Sequence, residues 1–399
     1  MSDINRLLAA FETGELCRPD ASQPNFVDLV QSIATLSGVP DLPITANARA
    51  IADRIGRPQH LVFVLADGLG AHAFEDLPPD SWLRTHLDST LQSVFPPTTG
   101  AAITSLATGT WPSEHGVVGW WTYLSQLREA ACLLPFTRPR DGVPLLDCGV
   151  TPEQAFGAAP LVARMDRPAA ISQPRSIIDS TYSSWFGGGA ATLPYDKHAG
   201  AVDAIVDRIR HADRASFTYW YTPAFDHEAH EHGAASDAAR AILEELDDSL
   251  ADLADALSGL DARIVLTADH GHVDAGARFP LDSDDPLLAF LRTPPSGDMR
   301  LGFYHLQDNA RQAFSHEFQE RFGDHFALIT AQELDDLRLL GPEPLAKETR
   351  RRVGDFASLA LDDSVMRYTG GSDGDHFMHQ RSHHSGLSHR EMTIPLVIG

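Results

Sequence analysis

Three apolar runs in this chain stop at, or lead into, an aspartate. LVFVLAD ends at Asp67, FTYWYTPAF runs up to Asp226, and RIVLTAD closes on Asp269. A run that is apolar at nearly every position suits a strand buried on both faces, the environment of a parallel sheet covered by helices. In open parallel sheets ligands bind beyond the carboxyl ends of the strands, so three aspartates delivered there can converge on one site. Taken singly, each is weak, because Asp-Gly after a strand is commonly only a turn.

The sequence between the runs supplies the matching helices. TGAAITSLATG follows the first run. Further on, Ile242, Leu243, Leu246, Leu250, Leu253 and Leu257 recur at three- and four-residue steps with acids between them, and Gly259 supplies a stop. That order predicts an α/β fold in which mostly parallel strands lie between helices. MTIPLVIG reads as a last strand returning to the core. Between RIVLTAD and MTIPLVIG the texture changes: PLDSDDP and TPPSGD look like boundaries, and LGFYHL and HFALIT look like strands. The expectation is a core of residues 1–277 plus 375–399 carrying a smaller inserted α+β domain over 278–374. A chain of 399 residues is long enough to bury both.

Lys plus Arg total 31 against 55 Asp plus Glu, a formal charge of −24. Such a chain repels a phosphate backbone, so no nucleic-acid polymer is expected as a partner. An anionic small substrate needs a local positive centre, and a bound metal ion is the obvious one. Cys17, Cys132 and Cys148 are widely spaced with no CxxC pair, which points to reduced thiols rather than a disulfide framework or a thiolate zinc site, and to a cytoplasmic location. The first residues lack a basic start followed by an apolar core, and no run reaches the roughly 18 apolar residues of a membrane span, so no membrane partner is expected. Nothing in the sequence sets the oligomeric state.

Two of the aspartates have histidine companions. DHEAH puts Asp226 and His230 four apart, within reach of one ion on a helix, and ADHGH puts His270 beside Asp269. SHHSGLSHREM offers more histidines before the last strand. Mixed carboxylate and imidazole ligands favour zinc, with manganese second, over calcium or magnesium. In SVFPPTTGAAITSLATG a Pro-Pro turn feeds Thr98 and Thr99 into a helix start. A hydroxyl there faces unpaired N–H groups and the positive end of the helix dipole, which stabilise both its alkoxide and an attached phosphate. Such a threonine is ordinarily just a cap; a cation on its oxygen would make it a nucleophile.

Together, LVFVLADGLG, FPPTTGAAITSLATGTWPSEHGVVG, FDHEAHEHG, LTADHGH and HSGLSHREM resemble the alkaline phosphatase superfamily, most closely its bacterial type I phosphodiesterase/nucleotide pyrophosphatase branch. The resemblance implies two zinc ions. Asp67, Thr99, Asp269 and His270 would hold one, and Asp226, His230 and His384 the other. His384 is chosen because HSGLS matches the family segment that carries the ligand, whereas His383, His379 and His376 do not. Thr99, not Thr98, matches the nucleophile, standing ten residues before the Gly of ATG.

Two positions depart from the family pattern: Ala102 and Trp120 stand where asparagines are expected, and the second of those asparagines helps to bind the phosphoryl oxygen. Trp120 and Trp121 could wall a flat substrate group, or be plain core. Lys197, beside His198 in PYDKHAG, could meet a phosphate, although such a pair is usually solvated surface. The function implied is metal-dependent hydrolysis of a small phosphorylated substrate, at a phosphodiester or pyrophosphate bond, through a phosphothreonine intermediate. The alternatives are a phosphomonoesterase or phosphonate hydrolase on the same two-metal site, and a catalytically silent metal-binding protein.

Overall fold

The strand His60–Ala66 is buried at every position and runs parallel to both of its neighbours, Ser216–Thr222 and Ala262–Thr267. The structure, a computed structural model, describes residues 3–371 and 374–399. These three strands form the middle of a seven-stranded sheet. Its order is Leu87–Gln92, Thr393–Ile398, Ala262–Thr267, His60–Ala66, Ser216–Thr222, Ala169–Pro174 and Ala191–Tyr195. Only Thr393–Ile398 runs against its neighbours, so the sheet is mixed but mostly parallel. The register sets Ala66 opposite Thr222 and Leu65 opposite Thr267, so the chain leaves all three central strands at one edge.

Helices cover the sheet. Asp237–Ala256 buries Leu243, Leu246, Leu250 and Leu253, the face read from the sequence, and starts where the Ser236 side chain accepts the Ala239 N–H. Thr99–Thr108 is buried along its whole length, which its Gly, Ala and Thr residues permit by allowing close approach on every side.

A second, six-stranded sheet has the order Phe326–Thr330, Phe356–Ala360, Leu301–Tyr304, Ser296–Asp298, Trp121–Leu124 and Glu129–Cys132. All its pairings are antiparallel. Two of its strands thus come from the segment that follows the Thr99 helix, outside residues 278–374. The N-terminal helix Asp3–Thr13 also packs on it, with Leu7 and Ala10 in one cluster with Ala327 and Ile329. The join between the two parts of this sheet is tight: a Cβ on Gly119 would lie 2.3 Å from the Gly297 carbonyl oxygen. Only glycine permits that approach, which brings Trp120 against Asp298.

A candidate two-cation active site

Each element delivers its side chain to the edge where the central strands end. Asp67 follows Ala66 directly, and Asp269 lies two residues past Thr267. Asp226 and His230 are one turn apart on the helix Ala224–His232, which begins just beyond Thr222. Thr99 is the first residue of its helix. His384 arrives from the C-terminal segment, where its Nδ1 and the Ser385 N–H both donate to the Pro97 carbonyl, two residues before Thr99.

The side chains fall into two overlapping groups. In one, His270 Nε2 is 3.4 Å from Asp67 Oδ1 and 3.4 Å from Asp269 Oδ2, and Thr99 Oγ1 lies 3.2 Å from the same nitrogen and 3.4 Å from Asp67 Oδ1. In the other, Asp226 Oδ1 is 3.4 Å from His230 Nε2, 4.0 Å from His384 Nε2 and 2.9 Å from His272 Nε2. All seven residues picked out in the sequence are therefore brought together. His272 and Tyr221 join them. The Tyr221 hydroxyl donates to Asp67 Oδ2, and the Asp67 charge helps burial hold that phenol protonated.

The donor set fits cations. His230, His270 and His384 each donate Nδ1–H to a backbone carbonyl, of Ser382, Gly271 and Pro97, which leaves Nε2 bare and turned to the carboxylates. His272 reaches the same state by another route. The Ser382 hydroxyl donates to the Ala229 carbonyl at 2.6 Å, so toward His272 Nδ1 it can only accept. His272 Nε2 then carries a lone pair 2.9 Å from a carboxylate oxygen, and burial pushes that ring down to about 4, against holding a proton there. Acceptors facing acceptors need a cation between them. Asp269 Oδ2 is buried with no hydrogen-bond partner, while Oδ1 takes the Gly68 and His270 N–H groups.

The electrostatics agree. Burial, followed by the charges of Asp269 and Asp226, holds the Asp67 carboxyl well above the usual range. Burial raises Asp269 as well, against the pull of His270. At Asp226 burial raises the carboxyl, and the surrounding imidazoles, when they carry protons, lower it more strongly, below the usual range. Three of the possible cation-holding groups are Asp67–Asp269–His270, Asp226–His270–His384 and Asp226–His230–His272.

Beside these groups opens a cleft of roughly 650 Å³, lined by Asp67, Thr99, Asp226, His230 and His384 and walled on one side by Trp120. Trp121 is buried, does not line the cleft, and carries the Arg367 guanidinium 3.2 Å from its ring centre. Adjacent residues of an extended segment face opposite sides, so only one of the pair can reach the site. Lys197 stands exposed at the N-cap of the helix His198–Arg210 and is not among the residues lining the cleft. Asp298 lines it: its Oδ2 accepts the Thr98 hydroxyl at 2.7 Å and the Trp120 N–H at 3.0 Å, which explains why Thr98 does not cap its own helix. The sequence reading missed His272, Tyr221, Ser382 and Asp298. Only His272 had a local signal, as the second histidine of ADHGH.

Residues 61–384 match the sequence profile of the family described as type I phosphodiesterase / nucleotide pyrophosphatase. No curated protein sequence matches the chain. Human ectonucleotide pyrophosphatase / phosphodiesterase 5 superposes with a TM-score of 0.62 at 13% identity, covering 85% of this chain and 87% of that one. The murine counterpart, in an inactive form in complex with AMP, gives 0.59 at 15% identity over 84% and 87%. Phosphonoacetate hydrolase from Sinorhizobium meliloti, in complex with phosphonoformate, gives 0.61 at 17% over 86% and 90%. At these identities the likeness to the solved structures is one of fold.

Proposed function

The chain belongs to the type I phosphodiesterase / nucleotide pyrophosphatase family, and from that premise we propose that it hydrolyses phosphodiester or pyrophosphate bonds with Thr99 as the nucleophile and two divalent cations as cofactors. One observation carries the reading. The Thr99 hydroxyl sits at a helix N-terminus within 3.4 Å of both Asp67 Oδ1 and His270 Nε2, where it is buried yet lines the cleft.

Asp67, Asp269, His270 and Thr99 would hold one cation, and Asp226, His230 and His384 the other, with zinc the first expectation from the mixed oxygen and imidazole donors and manganese the second. When bound, the cations supply the positive charge that lowers the pKa of a coordinated hydroxyl and screens the phosphoryl oxygens. The residues do the rest. Thr99 attacks phosphorus in line and forms a phosphothreonine, and the leaving group departs into the cleft. The free N–H groups of the first helical turn favour the negative charge gathered there. Water then attacks phosphorus from the side the leaving group has vacated, the P–Oγ1 bond breaks, Thr99 regains its proton and the phosphate monoester leaves. The histidines keep their Nε2 lone pairs aimed at the site because their Nδ1 protons are tied to carbonyls. Trp120 supports the substrate in place of the expected asparagine, and residues 278–374 shape access, Asp298 and Met299 forming part of the cleft wall.

A panel of chromogenic phosphate esters, assayed with metal analysis of the purified protein, tests the reading. Turnover of an aryl phosphodiester with a higher kcat/KM than the matching monoester, in protein carrying about two equivalents of zinc or manganese per chain, is expected. Absence of turnover on every ester by metal-replete protein would sink it.

A further inference from the structure

The cleft contains a selection rule that its chemistry alone does not require. Part of its wall is aromatic: Trp120, Tyr182, Phe186, Tyr219 and Phe377 line it. Among the described residues that line it there is neither a lysine nor an arginine, while Glu231 and Asp298 do line it. Candidate cations lie elsewhere. Lys197 is exposed away from the cleft, and Arg367 is stacked on Trp121, where it lines a separate cavity of roughly 320 Å³. A substituent placed against this wall meets flat apolar faces and two carboxylates, and among the described lining residues outside the metal-holding groups only the imidazoles of His227, His376 and His383 can carry positive charge. An anion there would lose its water without a permanent cationic partner and would face like charge.

Resting on the phosphoryl-transfer reading above, we propose that the cleft takes a phosphodiester whose second substituent is uncharged, flat and apolar, and that it discriminates against substrates carrying a second anionic group. The rule narrows the family's two named reactions to the phosphodiester one, since both halves of a pyrophosphate substrate are charged. It also sets this chain apart from the phosphonate hydrolase of the same fold, whose ligand is a small molecule bearing a carboxylate and a phosphonate. A volume of roughly 650 Å³ lies within the range of cavities that enclose a ligand of several rings.

The test uses a matched pair, 4-nitrophenyl phenyl phosphate and 4-nitrophenyl 4-carboxyphenyl phosphate, which release the same chromophore. The neutral-ring substrate should show at least about tenfold higher kcat/KM. Ser176 is exposed and lines the cleft, outside the groups assigned to catalysis. Ser176→Arg, which adds a cation to the cleft wall, should raise the ratio of carboxylated to neutral kcat/KM several-fold. Binding gives a readout independent of turnover: titration calorimetry on zinc-loaded Thr99→Ala protein, with phenyl phenylphosphonate and 4-carboxyphenyl phenylphosphonate, should show the same order. Equal or inverted preference in kinetics and in binding would overturn the proposal. If neither ester is cleaved, the phosphodiesterase reading fails by itself, and the binding order still decides for or against an anion-excluding cleft.

Discussion

Thr98 and Thr99 are neighbours with different partners, and that difference makes the nucleophile assignment testable. Thr99 faces the carboxylates and His270, whereas Thr98 spends its hydroxyl on Asp298. Thr99→Ala should lower kcat/KM by more than about a thousandfold with metal content retained, and Thr99→Ser should recover part of it. Thr98→Ala should cost about 1 kcal/mol of stability for one lost hydrogen bond and stay active. A dead Thr98→Ala beside an active Thr99→Ala would reverse the assignment. His272 is the second case. It touches Asp226 and is held by Ser382, so His272→Ala should weaken metal affinity about 10- to 100-fold in chelator competition. Unchanged affinity with lowered stability would reduce it to packing. The strand-end aspartates were legible in the sequence because three buried apolar runs, each leading to a carboxylate, set like charges at one sheet edge, where a bound cation offsets them. The partner of His272 was not, since Asp226 lies 46 residues away and only the fold brings the two together.

The element that carries His384 is the least self-sufficient part of the site. The short strand just before it, Ser382–His383, pairs with Val273–Asp274, and Ser385 adopts a φ of 89°, a strained conformation for a residue with a side chain. What fixes it is a buried ion pair. Arg300 Nε donates to Glu391 Oε1 at 2.8 Å, the same oxygen accepts the Gly386 N–H, and the Arg300 N–H donates to the Ser385 hydroxyl. Both charged side chains are at most 1% exposed, so removing one partner strands the other in a dry interior. Arg300→Met should cost about 3–5 kcal/mol in denaturant unfolding, and Arg300→Met with Glu391→Leu should recover much of that. A double variant no more stable than the single would mean the pair's packing matters more than its charge. The core strands His60–Ala66, Ser216–Thr222, Ala262–Thr267 and Thr393–Ile398 and the helices Thr99–Thr108 and Asp237–Ala256 were readable from apolar runs and periodicity, while the strands Leu87–Gln92, Ala169–Pro174 and Ala191–Tyr195 were not. The hairpin Trp121–Cys132 was not, because its short strands gain their burial from Ser296–Asp298, a strand far along the chain.

Across the whole molecule the sheet supplies burial and the site spends part of that stability, because it gathers three carboxylates where water is scarce. A carboxyl whose pKa is raised in the folded state holds its proton more tightly there than in the unfolded chain. Its contribution to stability is therefore complete below its ordinary value and is lost as pH rises through the raised value. Asp67 and Asp269 are both raised from 3.8, so in the metal-free protein these two carboxyls take stability away as pH climbs above that point, while buried imidazoles lowered from 6.5, His272 and His384 among them, return it as pH rises toward that value. Bound cations reverse the carboxyl effect, since they need the carboxylates ionised and the imidazoles neutral, a state that rising pH also favours. The gap in Tm between zinc-supplemented and chelator-treated protein should then widen between about pH 4.5 and about pH 7.5. At metal a hundredfold above Kd, the stabilisation should reach about 2.7 kcal/mol for each cation bound. Scanning calorimetry at several pH values between those limits measures that gap directly. A gap that stays flat, or is largest in acid, would show that the carboxylates at the sheet edge are not the groups that hold the cations.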